Sequence, residues 1–161
     1  MIIENEKFKL CTSEEKSEII ESFTTEIMQK RTQLIDIFPE KVPQKADNRY
    51  FDVEKFFQQN RSGVDRKFTD IILKIFCYYD MILVGQEIVN DSPTAKELIK
   101  LLDSFFNNDT AYINIILPEC DTLLTLSRDD LYITVYNACG KVEKLISKLS
   151  AAEGLFFYEA V

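Results

Sequence analysis

Two kinds of side chain in this sequence could take part in chemistry, namely paired carboxylates and isolated thiols. The chain has no histidine, which excludes a histidine triad, a histidine general base and a histidine metal site. Asp129 and Asp130 are adjacent and could act as an acid and base pair. They lie in a polar break between two apolar segments, a setting typical of a solvated turn, so we interpret them as surface acids.

The four cysteines are far apart and form no Cys-x-x-Cys pair. Cys139 precedes a predicted helix, where the helix dipole can favour a thiolate, but it would need Lys141 or Lys144 as a cationic neighbour. We prefer the interpretation that Cys139 is a small thiol packed in the core. The glycines are isolated, and no phosphate-binding glycine loop is present. We therefore predict no catalytic residue, metal or cofactor.

Six residues are candidates for a binding surface. Tyrosine and arginine combine a large contact area with directed polar atoms, and both are enriched at interface hot spots. The candidates are Arg49, Tyr50, Tyr132, Tyr136, Asp129 and Asp130. For Tyr132 and Tyr136 the alternative is that the chain's own helices cover them.

The charge balance indicates the kind of partner. The 19 basic and 27 acidic residues give a formal net charge of -8, which repels phosphate backbones and favours a basic protein partner over nucleic acid. Ile71 to Val84 is apolar but interrupted by Lys74 and Asp80, and it is too short to cross a membrane. The N-terminus lacks the pattern of a secretion signal, so we expect a cytoplasmic protein without membrane contact.

The C-terminal third shows the clearest strand patterns. Alternation of apolar residues predicts strands at 111–117, 122–126 and 131–136, with antiparallel pairing. Spacings of three and four then predict a helix over 141–153 that ends at Gly154. The apolar run 155–158 predicts a last strand, which should lie inside the sheet because an exposed apolar edge invites aggregation.

The first two thirds of the sequence are dominated by helical patterns. Thr12 and Glu15 have the spacing of a capping box, and the helix that they begin is predicted to end at Phe38, before Pro39. The strongest helical pattern runs from Val64 to Tyr79, and we prefer its extension through Met81 to Val84 over a switch to a strand. The sequence also predicts a strand over 8–10, a brief helix capped by Asp52, and a helix that begins at Ser92-Pro93.

These patterns predict a single α+β domain over residues 1–161, with a helical N-terminal two thirds packed on a small, mostly antiparallel sheet of order strand-strand-strand-helix-strand. Size, acidity and the absence of catalytic motifs are compatible with a non-catalytic protein-binding module, such as an inhibitor or immunity-type protein that neutralises a partner enzyme. The alternatives are a small-molecule-binding regulatory domain and, least favoured, an enzyme that uses Cys139 or paired carboxylates.

Overall fold

The structure is a computed structural model that describes residues 2–160, apart from the side chain of Asp47. Within this range the helices are α1 (Asn5–Lys9), α2 (Ser13–Ile27), α3 (Asp47–Gln59), α4 (Ser62–Phe76), α5 (Ala95–Phe106) and α6 (Gly140–Ala152). The strands are β1 (Thr32–Asp36), β2 (Ile82–Val84), β3 (Val89–Asn90), β4 (Tyr112–Leu117), β5 (Thr122–Ser127), β6 (Tyr132–Tyr136) and β7 (Phe156–Glu159).

All seven strands belong to one sheet, in the order β3-β2-β4-β5-β6-β1-β7. Every neighbouring pair is antiparallel, which confirms the predicted pairing of the strands in the C-terminal third. β1 comes from the N-terminal part of the chain and lies between β6 and β7. Strands from the N-terminal and C-terminal parts of the chain are therefore paired in the same half of the sheet.

Helices pack on both faces of this sheet. The predicted apolar stripe of α4 is confirmed, and with α5 and α6 it forms the larger core on one face. On the other face α1 and α2 form a smaller core with residues of β2, β4 and β5. No helix within residues 2–160 combines the length and the hydropathy that crossing a bilayer requires.

The start of α2 is predicted correctly and its end is not. The amide of Glu15 donates to Thr12 Oγ1 at 3.2 Å and the amide of Thr12 donates to Glu15 Oε2 at 2.9 Å, which completes the capping box. The helix ends at Ile27 instead of Phe38, and Thr32–Asp36 is a strand. The apolar residues after Ile27 fit a helical period by coincidence, whereas pairing with β6 and β7 satisfies their backbone groups on both sides.

Two further local predictions are wrong for related reasons. Met81 to Val84 does not extend α4, because Ile82–Val84 forms β2 between β3 and β4, with all three residues buried. The short strand predicted at 8–10 is instead helix α1, in which Phe8 is 2% exposed. In both places a short apolar run carries too few residues to distinguish a period of two from one of 3.6.

Two helix boundaries also differ from the prediction. α3 is longer than the brief helix expected, and Asp52 lies within it instead of capping it. α5 begins after Pro93, and Thr94 caps it by accepting a hydrogen bond of 3.1 Å from the amide of Glu97. Thr94 forms a complete capping box with Glu97 and thereby satisfies two free amides at once.

The C-terminal part follows the prediction except at the last strand. α6 confirms the predicted helix, and Gly154 adopts a φ of 73° directly after it, a conformation that suits glycine. β7 pairs only with β1 and is an edge strand, so its expected place inside the sheet is wrong. Phe157 packs on the larger core, whereas Phe156 is 44% exposed. The apolar residues of β7 are therefore buried on one face of the strand, although the strand lies at the edge of the sheet.

The protein is thus a mixed α+β fold, as predicted. The division into a helical N-terminal part and a small C-terminal sheet is wrong, because β1, β2 and β3 precede residue 111. A long-range strand pairing depends on partners that are distant in sequence, which local periodicity does not report.

Candidate functional site

The face of the sheet that carries α2 is covered over only part of its width. Phe23 and Ile27 of α2 share an apolar cluster with Ile82, Ile116 and Leu123 of the covered strands. Across β6, β1 and β7 the same face opens into a cavity of about 830 Å³. Segment 38–44 and α3 form the wall opposite the strands. Most ligand-binding cavities have a volume of about 300–1,000 Å³, so this one can hold a sizeable group.

Two rows of side chains form the floor of the cavity. In β1, Leu34 lies between Thr134 of β6 and Tyr158 of β7. Two residues further along β1, Asp36 lies between Tyr132 and Phe156 in the same way. Alternate residues of a strand point to opposite faces, so the intervening Ile35 is buried in the larger core. The register therefore places one carboxylate among aromatic side chains.

Asp36 is the central charged group of the cavity floor. Its carboxylate accepts a hydrogen bond of 2.6 Å from Tyr158 Oη and one of 3.3 Å from the amide of Phe38. Asp36 is 8% exposed, and burial raises the pKa of its carboxyl above the ordinary value, although hydrogen bonds from Tyr158 and from the amides of Phe38 and Ile37 act in the opposite direction. Its negative charge is consequently poorly compensated within the protein.

The tyrosines of the cavity donate to carboxylates. Tyr50 Oη donates to Glu54 Oε2 at 2.7 Å, and Tyr132 donates to the carboxylate of Asp130. Burial, followed by the effect of these carboxylates, raises the pKa of both tyrosines. Each ring therefore stays neutral, and its electron-rich face is available to a cation.

The pKa of Asp36 leads to a pH-dependent prediction. A folded-state pKa above the unfolded value means that the folded protein binds the proton more tightly, so stability from this group is present at low pH and lost as the pH rises through the folded pKa. Asp36→Asn removes this loss. We expect the free energy of unfolding of Asp36→Asn, relative to the wild type, to increase from about pH 3.5 to pH 7.

Urea denaturation at a series of pH values would measure this difference. Asp129→Asn is the matched control, because Asp129 is exposed in the turn between β5 and β6. A difference between wild type and Asp36→Asn that stays constant with pH, or decreases as the pH rises, would show that burial does not dominate the ionisation of Asp36.

The structure brings together some of the candidate binding residues and separates others. Tyr50 and Tyr132 both line the cavity, and Asp130 adjoins it through its hydrogen bond with Tyr132. Tyr136 lies on the same face of β6 but packs against the apolar cluster under α2, so for this residue the covered alternative holds. Arg49 is exposed on α3 and does not line the cavity.

Asp129 is exposed in the β5–β6 turn, as expected for a surface acid, and its carbonyl accepts a hydrogen bond of 2.8 Å from Gln58 Nε2. Sequence reasoning missed Asp36, Leu34 and Tyr158, although these three residues form much of the cavity floor. The sequence does not identify Asp36 as a site residue, because the pattern there predicts a helix in place of β1. The aromatic residues of the last strand point to Tyr158, but the neighbours of Tyr158 in the sheet follow only from the pairing of β7 with β1.

The other chemical candidates do not form a centre. Cys139 is exposed at the N-cap of α6, so the interpretation that it packs in the core is wrong, because the extended chain there holds it outside the core. All four cysteines are free thiols. Among the described residues, no group of three or more acidic and cysteine side chains is placed to bind a metal ion.

A second, smaller cavity of about 590 Å³ lies between β1, β7 and α6. Its two acidic side chains already have a basic partner, because Arg31 Nη2 lies 2.9 Å from Glu143 Oε1 and Arg31 Nε also pairs with Glu159. Gln33 Nε2 donates to the same Glu143 at 3.1 Å. The larger cavity differs in that its central carboxylate, Asp36, has no basic partner among the described residues.

Three large apolar side chains of α3 are exposed near the larger cavity. Phe51 is 61% exposed, Phe56 is 59% exposed and Val53 is 41% exposed. The rings of Tyr50 and Phe51 meet edge to face with centroids 5.8 Å apart, so Phe51 lies next to the cavity wall. Large exposed apolar side chains beside a cavity are candidates for an interaction surface.

Comparisons of this chain with protein-family models, with curated proteins and with solved structures gave no match. The cavity itself is therefore the basis for assigning a function.

Proposed function

We propose that this protein is a non-catalytic binding module that engages a basic protein partner, in the manner of a small cytoplasmic inhibitor or immunity-type protein that neutralises an enzyme. The observation that carries the proposal is the cavity on the uncovered half of the sheet, where Tyr50, Tyr132 and Tyr158 surround Asp36. Tyrosines held in place by hydrogen bonds give a large contact area at a small entropic cost.

The distribution of charge supports a basic partner. The chain has a formal net charge of -8, and the cavity is lined by Asp36, Glu40 and Glu159, of which Glu159 is paired with Arg31. Lys41 is the single basic side chain that lines it within residues 2–160. A negative surface of this kind attracts a basic protein and accelerates its association, most strongly at low ionic strength.

The exposed aromatic side chains of α3 support a macromolecular partner in particular. Stable protein interfaces combine a desolvated apolar core with a polar rim. Phe51 and Phe56 provide apolar area outside the cavity, where a ligand confined to the cavity would leave it in water. The cavity and the neighbouring ring of Phe51 would then belong to one contact surface.

Cytoplasmic location and the absence of catalysis belong to the same proposal. Free thiols, two of them exposed, suit a reducing compartment. In the cavity, the carboxylate of Asp36 accepts hydrogen bonds from Tyr158 and Phe38, and the hydroxyl of Tyr50 donates to Glu54. Such mutual pairing favours a rigid recognition surface over a reacting group.

Replacing Tyr132 with alanine tests the proposed surface. Tagged wild-type protein and Tyr132→Ala are each used to capture partners from the native lysate at low salt, followed by quantitative mass spectrometry. We expect one stoichiometric basic protein on the wild type, and a loss of affinity of about 30-fold or more for the variant, since a hot-spot tyrosine contributes about 2 kcal/mol or more. The association rate with the purified partner should fall as salt is added.

Tyr78→Ala is the matched control, because Tyr78 is 67% exposed after α4 and does not line the cavity. Equal capture by wild type and Tyr132→Ala would refute the cavity as the binding surface. An association rate that is independent of salt would refute the electrostatic part of the proposal.

The second candidate function is a small-molecule-binding regulatory domain, which is favoured by the cavity volume of about 830 Å³. A ligand that binds only the folded state raises the unfolding temperature by mass action. Absence of any captured protein, together with a metabolite that stabilises the wild type but not Tyr132→Ala, would favour this function over a protein partner.

A further inference from the structure

The cavity combines one buried acid with neutral aromatic rings and an apolar wall. Asp36 provides the negative charge, and Tyr50, Tyr132 and Tyr158 surround it. Leu34, Val42 and Pro43 line the same space. An occupant that matches all three features has a cationic head and an apolar stem.

The carboxylate of Asp36 is suited to a cation that brings its own hydrogen-bond donors. Its hydrogen-bond partners are Tyr158 and the backbone amides of Phe38 and Ile37, and an ionised carboxylate has about four acceptor positions, so one is left for a further donor. Because Asp36 is 8% exposed, water compensates its charge poorly. A donor cation in the cavity would supply the missing compensation.

The tyrosine rings distinguish between the two basic side chains. A guanidinium is planar, stacks on aromatic faces and can donate two parallel hydrogen bonds to a carboxylate, whereas an ammonium is compact and more strongly hydrated. The methylene groups of arginine can lie along Leu34, Val42 and Pro43 while the head reaches Asp36. The volume of about 830 Å³ accommodates the whole side chain.

We infer that the cavity receives the side chain of an arginine supplied by the protein partner, with the guanidinium on Asp36 and against the tyrosine rings. This inference rests on the proposed function and adds the chemical group that is recognised. The net charge of -8 supports a protein source, since it favours approach of a basic surface over a free zwitterion.

The test uses the full chain and a blocked arginine, N-acetyl-arginine N-methylamide. Binding is followed by backbone amide NMR shifts and by tyrosine fluorescence, which is the intrinsic emission of a chain with 7 tyrosines and no tryptophan. We expect saturable shifts at β1, β6 and β7 with a dissociation constant of about 1–10 mM, as suits one side chain. The citrulline analogue has the same shape without the charge, and it should bind at least about tenfold more weakly.

Asp36→Asn should weaken binding of the arginine probe about tenfold, whereas Asp129→Asn, outside the cavity, should leave it unchanged. Thermal unfolding of both variants establishes that they are folded. No saturable shift with the arginine probe, equal binding of the citrulline probe, or no effect of Asp36→Asn would overturn the inference.

Two more probes distinguish a guanidinium from an ammonium group, and an arginine within a protein from free arginine. Equal binding of blocked lysine would overturn the choice of guanidinium, and much tighter binding of free arginine would assign the cavity to a small molecule. The proposed function is tested separately: if the arginine probe fails but Tyr132→Ala still loses the captured protein, only this inference is wrong. If the probe binds and partner capture is unchanged in Tyr132→Ala, the inference of a partner-supplied arginine is overturned together with the proposed function.

Discussion

Replacing Phe23 with alanine is expected to lower the free energy of unfolding by about 3–5 kcal/mol. Phe23 is fully buried where α2 packs on the sheet, in one cluster with Ile116 and Leu123. Alanine would leave a cavity between helix and sheet that its neighbours fill only in part, and the loss includes both the transferred apolar surface and the cavity. Urea denaturation followed by far-UV circular dichroism measures the change.

Phe51→Ala is the matched control, because Phe51 also lies on an amphipathic helix but is 61% exposed. Its substitution should change the free energy of unfolding by no more than about 0.5 kcal/mol. A similar effect of the two substitutions would contradict the docking of α2 on this half of the sheet.

Arg61→Ala should lower the free energy of unfolding by about 2–4 kcal/mol. The guanidinium of Arg61 donates to Asp65 Oδ1 at 3.0 Å and to the carbonyls of Arg128 and Asp130 at 2.9 and 3.2 Å. It thereby holds the β5–β6 turn, which carries the acid bonded to Tyr132, against the start of α4. Alanine would leave the carboxylate of Asp65, with a side-chain exposure of 14%, without its cation.

The pH dependence separates this ionic effect from a general loss of packing. Burial raises the pKa of Asp65 and the hydrogen bond from Arg61 lowers it, so removal of Arg61 should raise that pKa further. The destabilisation by Arg61→Ala should then shrink as the pH falls and Asp65 becomes protonated. Arg49→Ala, at an exposed position of α3, is the control and should have little effect. A pH-independent loss in Arg61→Ala would contradict the role of the ion pair.

Elements with long or well-capped local patterns could be predicted from the sequence. The stripe from Val64 to Ile75 predicts α4, because apolar residues on one helical face are determined by spacing alone. The capping box at Thr12 and the left-handed Gly154 also depend on nearby atoms only. The face shared by Tyr132 and Tyr136 follows from the period of two in β6.

Elements whose state depends on distant partners were predicted wrongly. Residues 32–36 and 82–84 are short segments with few apolar residues, and their strand conformation is stabilised by pairing with β6 or with β4, whose paired residues are at least 30 positions away in the sequence. Helix and strand patterns overlap in runs of this length. The position of β7 at the edge has the same cause, because β1 occupies the place between β6 and β7.

Some features of the cavity could likewise be predicted from the sequence, and others depend on tertiary structure. Composition alone establishes that histidine chemistry is excluded, that the chain is acidic, and that tyrosines are available for binding. Their arrangement around Asp36 was decided by tertiary structure, since β1 had to pair with both β6 and β7 before Asp36 could lie beside Tyr132 and bond to Tyr158. Residue types can be read directly from the sequence. Residues 36, 132 and 158 form one site only because the strand register brings them together, and that register depends on segments that are far apart in the chain.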